Sequence, residues 1–376
     1  MNIKVCHITS AHPRYDGRIF EKQCKSLQKH GYDVNIICID NGQDEIIDGI
    51  KIYSINYYFK SKISRLFKAN RLLFEKAKEI DADIYQIHDP ELLPLLLKLK
   101  RNGKKIVFDS HEDWISYISE ISWIPIVFRS LIVLFVKIYF NCVLKKIDLV
   151  ISVSPHIVDK YKKYTDRVFL ITNYPIINQQ IEFDRNKFLN GNMSICYVGT
   201  VYNMSNQESI ISAVNKIDID FKYNIIGVIS PEFKNKLLKI DYKNKTNFID
   251  KVPKDKLLEL YSNSNAGIVI FDYHSNCGDK IGTLGNNKIF EYMYSGLPII
   301  CTNFDLWRTM IVEKYNCGIC VEPGNEIQIE EAIRFIFNNK EKAYEMGQNG
   351  VKAVLDEFNW KTQEIELIKL YNKLCE

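Results

Sequence analysis

The chain has 376 residues, of which 46% are hydrophobic and 26% charged, and a formal net charge of +4. That balance excludes a disordered chain, which lacks the apolar surface to offset backbone ordering, and at about 150 residues per folding unit the length points to two domains. Ten cysteines are scattered through apolar stretches, and the single Cys-x-x-Cys, Cys317 to Cys320, has no second pair or histidine cluster to complete it, which argues against a structural zinc and suits a reducing cytoplasm.

The charge is uneven along the chain. Up to Thr172 there are 27 Lys and Arg against 20 Asp and Glu, so this half carries +7 and the remainder −3. A basic half suits contact with phospholipid headgroups or a polyphosphate. No nucleic-acid partner is expected. The first apolar run, IKVCHIT, starts almost at Met1 with no signal peptide ahead of it and reads as a strand. It leads into SAHPRYDGRIF, where Asp16, Gly17 and Arg18 lie near the start of a helix, a place that favours an anion. DVNIICI and GIKIYSI follow as strands, then the run from Tyr57, in which Lys and Arg alternate with aromatics. DIYQIH ends at His88 and Asp89, and KIVFDSH ends at Asp109, Ser110, His111 and Glu112. In a doubly wound sheet ligands sit at the carboxyl ends of the strands, so these His-acid pairs are functional candidates.

The segment from Trp123 to Lys146 is the most apolar, yet Arg129 and Lys137 interrupt it, which disfavours a spanning helix. Ser130, Lys137, Asn141 and Lys145 fall on one narrow stripe. The wide apolar face beside it suits either a membrane interface or the protein core. DLVISVS and VFLIT complete a parallel-sheet rhythm, the polar stretch from Pro175 to Gly191 reads as a linker, and MSICYVGT, FKYNIIG, TNFID, AGIVIF, LPIICT and CGICVE restart the rhythm. Gly199 and Thr200 end a strand where backbone can approach phosphate. The stretch TLGNNKIFEYMYSGLPIICT is stronger. Its loop amides at Gly285, Asn286 and Asn287 precede a helix and suit a diphosphate, with Lys288 as countercharge and Glu291 placed to accept from ribose hydroxyls. The last stretch, from Phe358, reads as an amphipathic helix.

The segment ending NNKIFEYMYSGLPIICT resembles the donor-site signature of the large retaining glycosyltransferase family four, of GT-B fold. HPRYDGRIFEKQCKSLQKHGYDV, HDPELLPLLLKLKRNGKKIVFDSHED, DLVISVSPHI, YVGT and FNWKTQEIELIKLY join it in family order. The resemblance implies an α/β architecture of two Rossmann-like domains facing a cleft. Residues 1–174 would form the acceptor-side domain, 175–357 the donor-side domain, and 358–376 a helix crossing back to the first. It implies a UDP- or GDP-sugar donor, no cofactor, no metal and retention of configuration.

By the same resemblance His111 and Glu291 are the catalytic pair: His111 against the donor sugar, and Glu291 as the second of two glutamates spaced seven apart, on ribose. The first glutamate of that pair falls on Thr283. Thr200 and Asn206 stand where the family commonly has basic residues, which leaves Arg18 and Lys288 as candidate countercharges. Gly17, Gly199 and the 285–288 loop complete the donor set, and Asp16, His88, Asp89 and Glu112 the acceptor side. The expected activity is sugar transfer to a lipid-linked glycan in bacterial surface-polysaccharide synthesis, such as capsule or lipopolysaccharide, by a cytoplasmic protein peripheral at the inner face of the membrane. A sugar-nucleotide epimerase of the same fold and a degenerate, non-catalytic partner of a glycosyltransferase are the alternatives.

Overall fold

The computed structural model describes residues 3–113, 126–177 and 184–376. They form two compact units, residues 1–173 with 360–376 and residues 174–359. In the first unit β1 (Lys4–Ile8), β2 (Asp33–Cys38), β3 (Glu45–Ile47), β4 (Ile50–Ser54), β5 (Ile84–Ile87), β6 (Lys105–Ser110), β7 (Leu149–Ser152) and β8 (Val168–Leu170) pair in the order β3-β4-β2-β1-β5-β6-β7-β8. Every pairing is parallel except β3 with β4. Parallel strands are covered on both faces, which is why they read as continuous apolar runs. β3 has no counterpart in the sequence reading, because three residues are too few to show a period. It folds back on β4 through Asp48 and Gly49, whose φ of 51° and 79° are the left-handed pair a two-residue hairpin turn needs.

A π-helical turn, Ile19–Cys24, leads into α1 (Lys25–Lys29). α2 (Lys62–Ile80) and α3 (Leu93–Arg101) press Ala69, Leu73, Leu95, Leu96 and Leu99 into the core. Because the strand order leaves β1 in one direction for β2 and in the other for β5, the carboxyl ends of β1 and β5 border a crevice at the switch point.

α4 (Ile126–Leu144) carries most of the long apolar segment, whose residues 123–125 lie outside the described residues. One side packs Phe140, Val143 and Leu144 into the core. The other is also apolar: Leu131, Leu134, Phe135 and Ile138 are 51%, 53%, 63% and 52% exposed. The core alternative therefore accounts for one face of this helix only. No helix among the described residues is long and apolar enough to cross a membrane.

The second unit is a six-stranded parallel sheet of β9 (Ser194–Val198), β10 (Lys222–Ile226), β11 (Thr246–Ile249), β12 (Ala266–Val269), β13 (Ile299–Thr302) and β14 (Gly318–Val321), ordered β11-β10-β9-β12-β13-β14. Its switch point lies between β9 and β12. α5 (Asn287–Tyr294) and α6 (Lys340–Asp356) pack on it through Met293, Ala353 and Val354. The chain then returns to the first unit as α7 (Trp360–Cys375), where Trp360, Leu367 and Tyr371 are buried, Trp360 Nε1 donates to Ser26 Oγ (2.9 Å) and the Tyr32 hydroxyl to Asn372 Oδ1 (2.7 Å).

Candidate functional site

At the switch point of the first unit, the ends of β1, β5 and β6 bring together four histidines and several carboxylates. Asp109, fully buried at the end of β6, is the hub. Its Oδ2 accepts from Arg18 Nε (2.9 Å), Gln23 Nε2 (2.7 Å) and His111 Nε2 (3.1 Å), and its Oδ1 from the second Arg18 nitrogen at 2.8 Å. Burial alone would raise the Asp109 pKa, but Arg18 and the imidazoles outweigh it and hold the carboxyl well below the usual range.

His88 Nδ1 lies 3.3 Å from Asp109 Oδ2 and 3.2 Å from His111 Nε2, and His7 Nδ1 lies 3.0 Å from His88 Nε2. One arrangement of protons leaves no buried N–H orphaned. Asp109, ionised, accepts from His111 Nε2–H and His88 Nδ1–H, and the bare His88 Nε2 accepts from His7 Nδ1–H. His7 Nε2, buried with no partner, is then a bare acceptor rather than a more costly unpaired N–H. Burial pushes the His88 pKa down to about 4 and the His7 pKa well below 6.5, so both rings are neutral. His111 is 16% exposed at the side chain, and its Nδ1 makes no hydrogen bond among the described residues.

His12, which the sequence reading passed over, packs on His111 with ring centroids 4.8 Å apart. It sits 3.6 Å from Asp16 and 3.5 Å from Asp89, and although burial opposes the charged ring, these acids and Asp109 raise its pKa. A histidine next to proline in a β1 loop was the available signal, and His7 was hidden inside an apolar strand.

The geometry corrects several expectations. Arg18 is 4% exposed, with its guanidinium committed to Asp109 and to Ile171 O at 2.9 Å, so it is not a free countercharge. His88 and Asp89 are 1% and 3% exposed and are taken up by internal bonds, His88 with His7 and Asp109 and Asp89 with Thr9 Oγ1 and the Ser10 amide. Asp16 caps the turn by accepting from the amides of Arg18 and Ile19. Gly17 borders open space, with nothing within 4 Å of an added Cβ, and Glu112 is exposed.

His88, Asp109 and His111 have the composition of a metal site, the one such group among the described residues. The donor set does not fit one, because the carboxylate oxygen that would bind the ion already accepts short bonds from Arg18 and Gln23.

In the second unit the corresponding feature is Lys288 on α5. Its chain crosses Gly199 at the end of β9 so closely that a Cβ there would sit 2.4 Å from Lys288 Cε, and Gly199 has a φ of +127° that other residues rarely adopt. The ammonium lies 5.8 Å and 5.7 Å from the ring centres of Tyr197 and Phe271 and makes no hydrogen bond or ion pair among the described residues. Burial lowers its pKa, with Glu291 opposing.

Glu291, half-buried on the same helix, accepts from the Tyr261 hydroxyl at 3.4 Å. The loop amides are partly used internally. Gly285 N donates to Thr283 Oγ1 and Lys288 N to the helix-capping Asn286 Oδ1, which leaves the Asn286 and Asn287 amides of the expected set. Thr200 is exposed, and its carbonyl accepts from Tyr197. Asn206, at a φ of 50°, donates to Asp272 and, as a neutral carboxamide, supplies no positive charge.

The model "Glycosyltransferase Family 4" matches residues 17–173 and "Glycosyl transferases group 1" matches residues 178–353. An uncharacterized glycosyltransferase of Methanocaldococcus jannaschii is 23% identical over 254 residues, 62% of this chain and 60% of that protein. The chain thus spans less than two thirds of that relative's length. Among solved structures, sucrose-phosphate synthase of Thermosynechococcus elongatus superposes with a TM-score of 0.78 at 17% identity over 99% of both chains. Anabaena HepE in complex with UDP and glucose gives 0.73 at 12% identity over 99% of this chain and 100% of that one. TarM of S. aureus, with UDP and fondaparinux, gives 0.72 at 11% identity over 98% and 100%.

Proposed function

The chain belongs to the glycosyltransferases of group 1 and family four, with the GT-B fold, and from that premise we propose that it transfers a sugar with retention from a UDP- or GDP-sugar to a lipid-linked glycan acceptor. The observation that carries this reading is the unpaired Lys288 ammonium lying across Gly199. A half-buried cation with no ion pair among the described residues is costly, and a donor diphosphate at the amino end of α5 would complete it. Asn286 and Asn287 amides add donors to the leaving group, which stabilises charge as the glycosidic bond loosens. Glu291 receives ribose hydroxyls. On the first unit, His111 offers Nδ1 to substrate, its other nitrogen being held by Asp109.

The chemistry proceeds without a metal, since Lys288 supplies the countercharge and Asp109 is committed elsewhere. The departing phosphate takes the acceptor proton. The acceptor glycan belongs to a surface polysaccharide, and the exposed apolar side of α4 holds the protein peripherally at the cytoplasmic face of the membrane. A second reading, a non-catalytic partner, is favoured by Thr283 and Asn206, whose side chains serve the local fold.

A thermal-shift panel of UDP- and GDP-sugars tests donor binding, because a ligand that binds only the native state stabilises it, and a turnover assay with the stabilising donor separates the two readings. With the stabilising donor, Lys288→Met and Glu291→Ala each weaken binding by about 1.5 to 3 kcal/mol, the worth of a hydrogen bond to a charged group. His111→Ala lowers turnover far more than donor affinity. Donor binding without turnover would favour the non-catalytic partner, and no binding to any nucleotide sugar would refute the reading altogether.

A further inference from the structure

We propose that Tyr371, Gln86 and Gln23 are positioning residues for His111, forming a buried polar chain that runs from the carboxyl-terminal helix through the core of the first unit to Asp109. The Tyr371 hydroxyl on α7 donates to Gln86 Oε1 on β5. Gln86 Nε2 donates to Gln23 Oε1 at 2.6 Å, and Gln23 Nε2 donates to Asp109 Oδ2 at 2.7 Å. That oxygen is the one that receives His111 Nε2–H. Tyr371, Gln86, Gln23 and Asp109 are each 0% exposed.

The direction of every bond follows from the last one. An ionised carboxylate only accepts, so Gln23 must present its Nε2 to Asp109 and its Oε1 to Gln86. Gln86 must then turn its Nε2 to Gln23 and its Oε1 to Tyr371, which leaves the hydroxyl to donate. A carboxamide on a central parallel strand is costly to bury unless both its ends are bonded. Here both ends are bonded only when α7 is in place, since no other residue among those described donates to Gln86 Oε1. The shortest bond to Oδ2 is the one from Gln23, so the chain sets where that oxygen stands and hence how the His111 ring is held. Tyr371 acts on the ring from a helix that makes no hydrogen bond to His111 itself among the described residues.

The inference rests on the reading of His111 as a group that meets substrate, but the chain is tested without substrate. The full-length protein, labelled with 15N in histidine and glutamine side chains, is compared by NMR with Tyr371→Phe and with Leu367→Ala, which removes packing from the same helix but no link of the chain. In the native protein His111 shows one ring form with Nε2 protonated, and the Gln23 and Gln86 carboxamide protons are protected from exchange. Tyr371→Phe removes that protection and shifts the His111 ring nitrogens. Leu367→Ala lowers the melting temperature and leaves those ring signals in place. Carboxamides that exchange freely in the native protein, or His111 signals that stay still in folded Tyr371→Phe or move equally in Leu367→Ala, overturn the proposal. Should Tyr371→Phe not fold, Gln23→Met reads the same link one step from Asp109, and an unmoved ring there overturns it too.

Discussion

His7 and His88 are imidazoles that the fold keeps uncharged, and this makes the first unit sensitive to acid. Burial pushes the His88 pKa down to about 4 in the folded chain, against the ordinary 6.5 of an exposed ring. As the pH falls from about 6.5 to 4, the unfolded chain takes up a proton that the folded one refuses, so stability declines through that window and levels off below it. A gap of that width is worth about 3 kcal/mol for His88, with His7 adding in the same direction. His12 acts oppositely, because its raised pKa favours the folded state below 6.5. The Asp109 contribution is lost only at lower pH, below the ordinary carboxylate range. Urea midpoints measured at pH 7 and 4.5 should therefore fall in the native protein and fall less in His88→Asn, which keeps a donor near the Nδ1 position without a titrating ring. Equal drops in both proteins would assign the acid sensitivity to other groups.

At the scale of elements, α4 is apolar on two sides and only one of them is covered. Leu131, Leu134, Phe135 and Ile138 recur at three- and four-residue spacing, so they form a continuous ridge along one face. Lys100, Arg101, Lys145, Lys146 and Arg167 line a cavity of about 330 Å³ beyond the carboxyl end of that helix. Exposed apolar patches with a polar rim mark interaction surfaces, and a basic rim suits anionic lipid. Liposome co-sedimentation should increase with anionic lipid and decrease with salt, whose screening length is about 8 Å at physiological strength. The double substitution of Leu134 and Phe135 by Ser should abolish the remainder without altering the circular dichroism. Sedimentation indifferent to lipid charge and to both substitutions would remove the membrane from the account.

At the scale of the whole molecule, the first unit is completed by residues that follow the second in sequence. Ending the chain at Asn359 removes Trp360, Leu367 and Tyr371 from the first unit. At about 1.5 to 3 kcal/mol for each large apolar side chain, the loss is roughly 5 kcal/mol or more. Hydrogen exchange should show lowered protection in β1, β2 and β5 and unchanged protection in β9 and β12. Uniform loss across both units, or none, would mean that α7 is not part of the first unit's core.

The sequence alone determined the rhythm of the sheets, since an apolar run buried on both faces is a local property that needs no partner to be recognised. It also marked the Gly199 and Lys288 neighbourhood, where a strand end and a helix start each carry their own signature. Whether a charge was free or spent was decided only by the tertiary structure. Arg18 and Lys288 looked equivalent as cations beside helix starts, yet Arg18 is neutralised by a carboxylate 91 residues away, and Lys288 makes no ion pair among the described residues. The same holds for Gln23 and Gln86, which in sequence are unremarked polar residues, and for α4, whose two apolar sides are identical in pattern. Periodicity reports what a residue is made of and which way it points along its own element. The partner it finds depends on the order in which distant strands and helices are laid side by side.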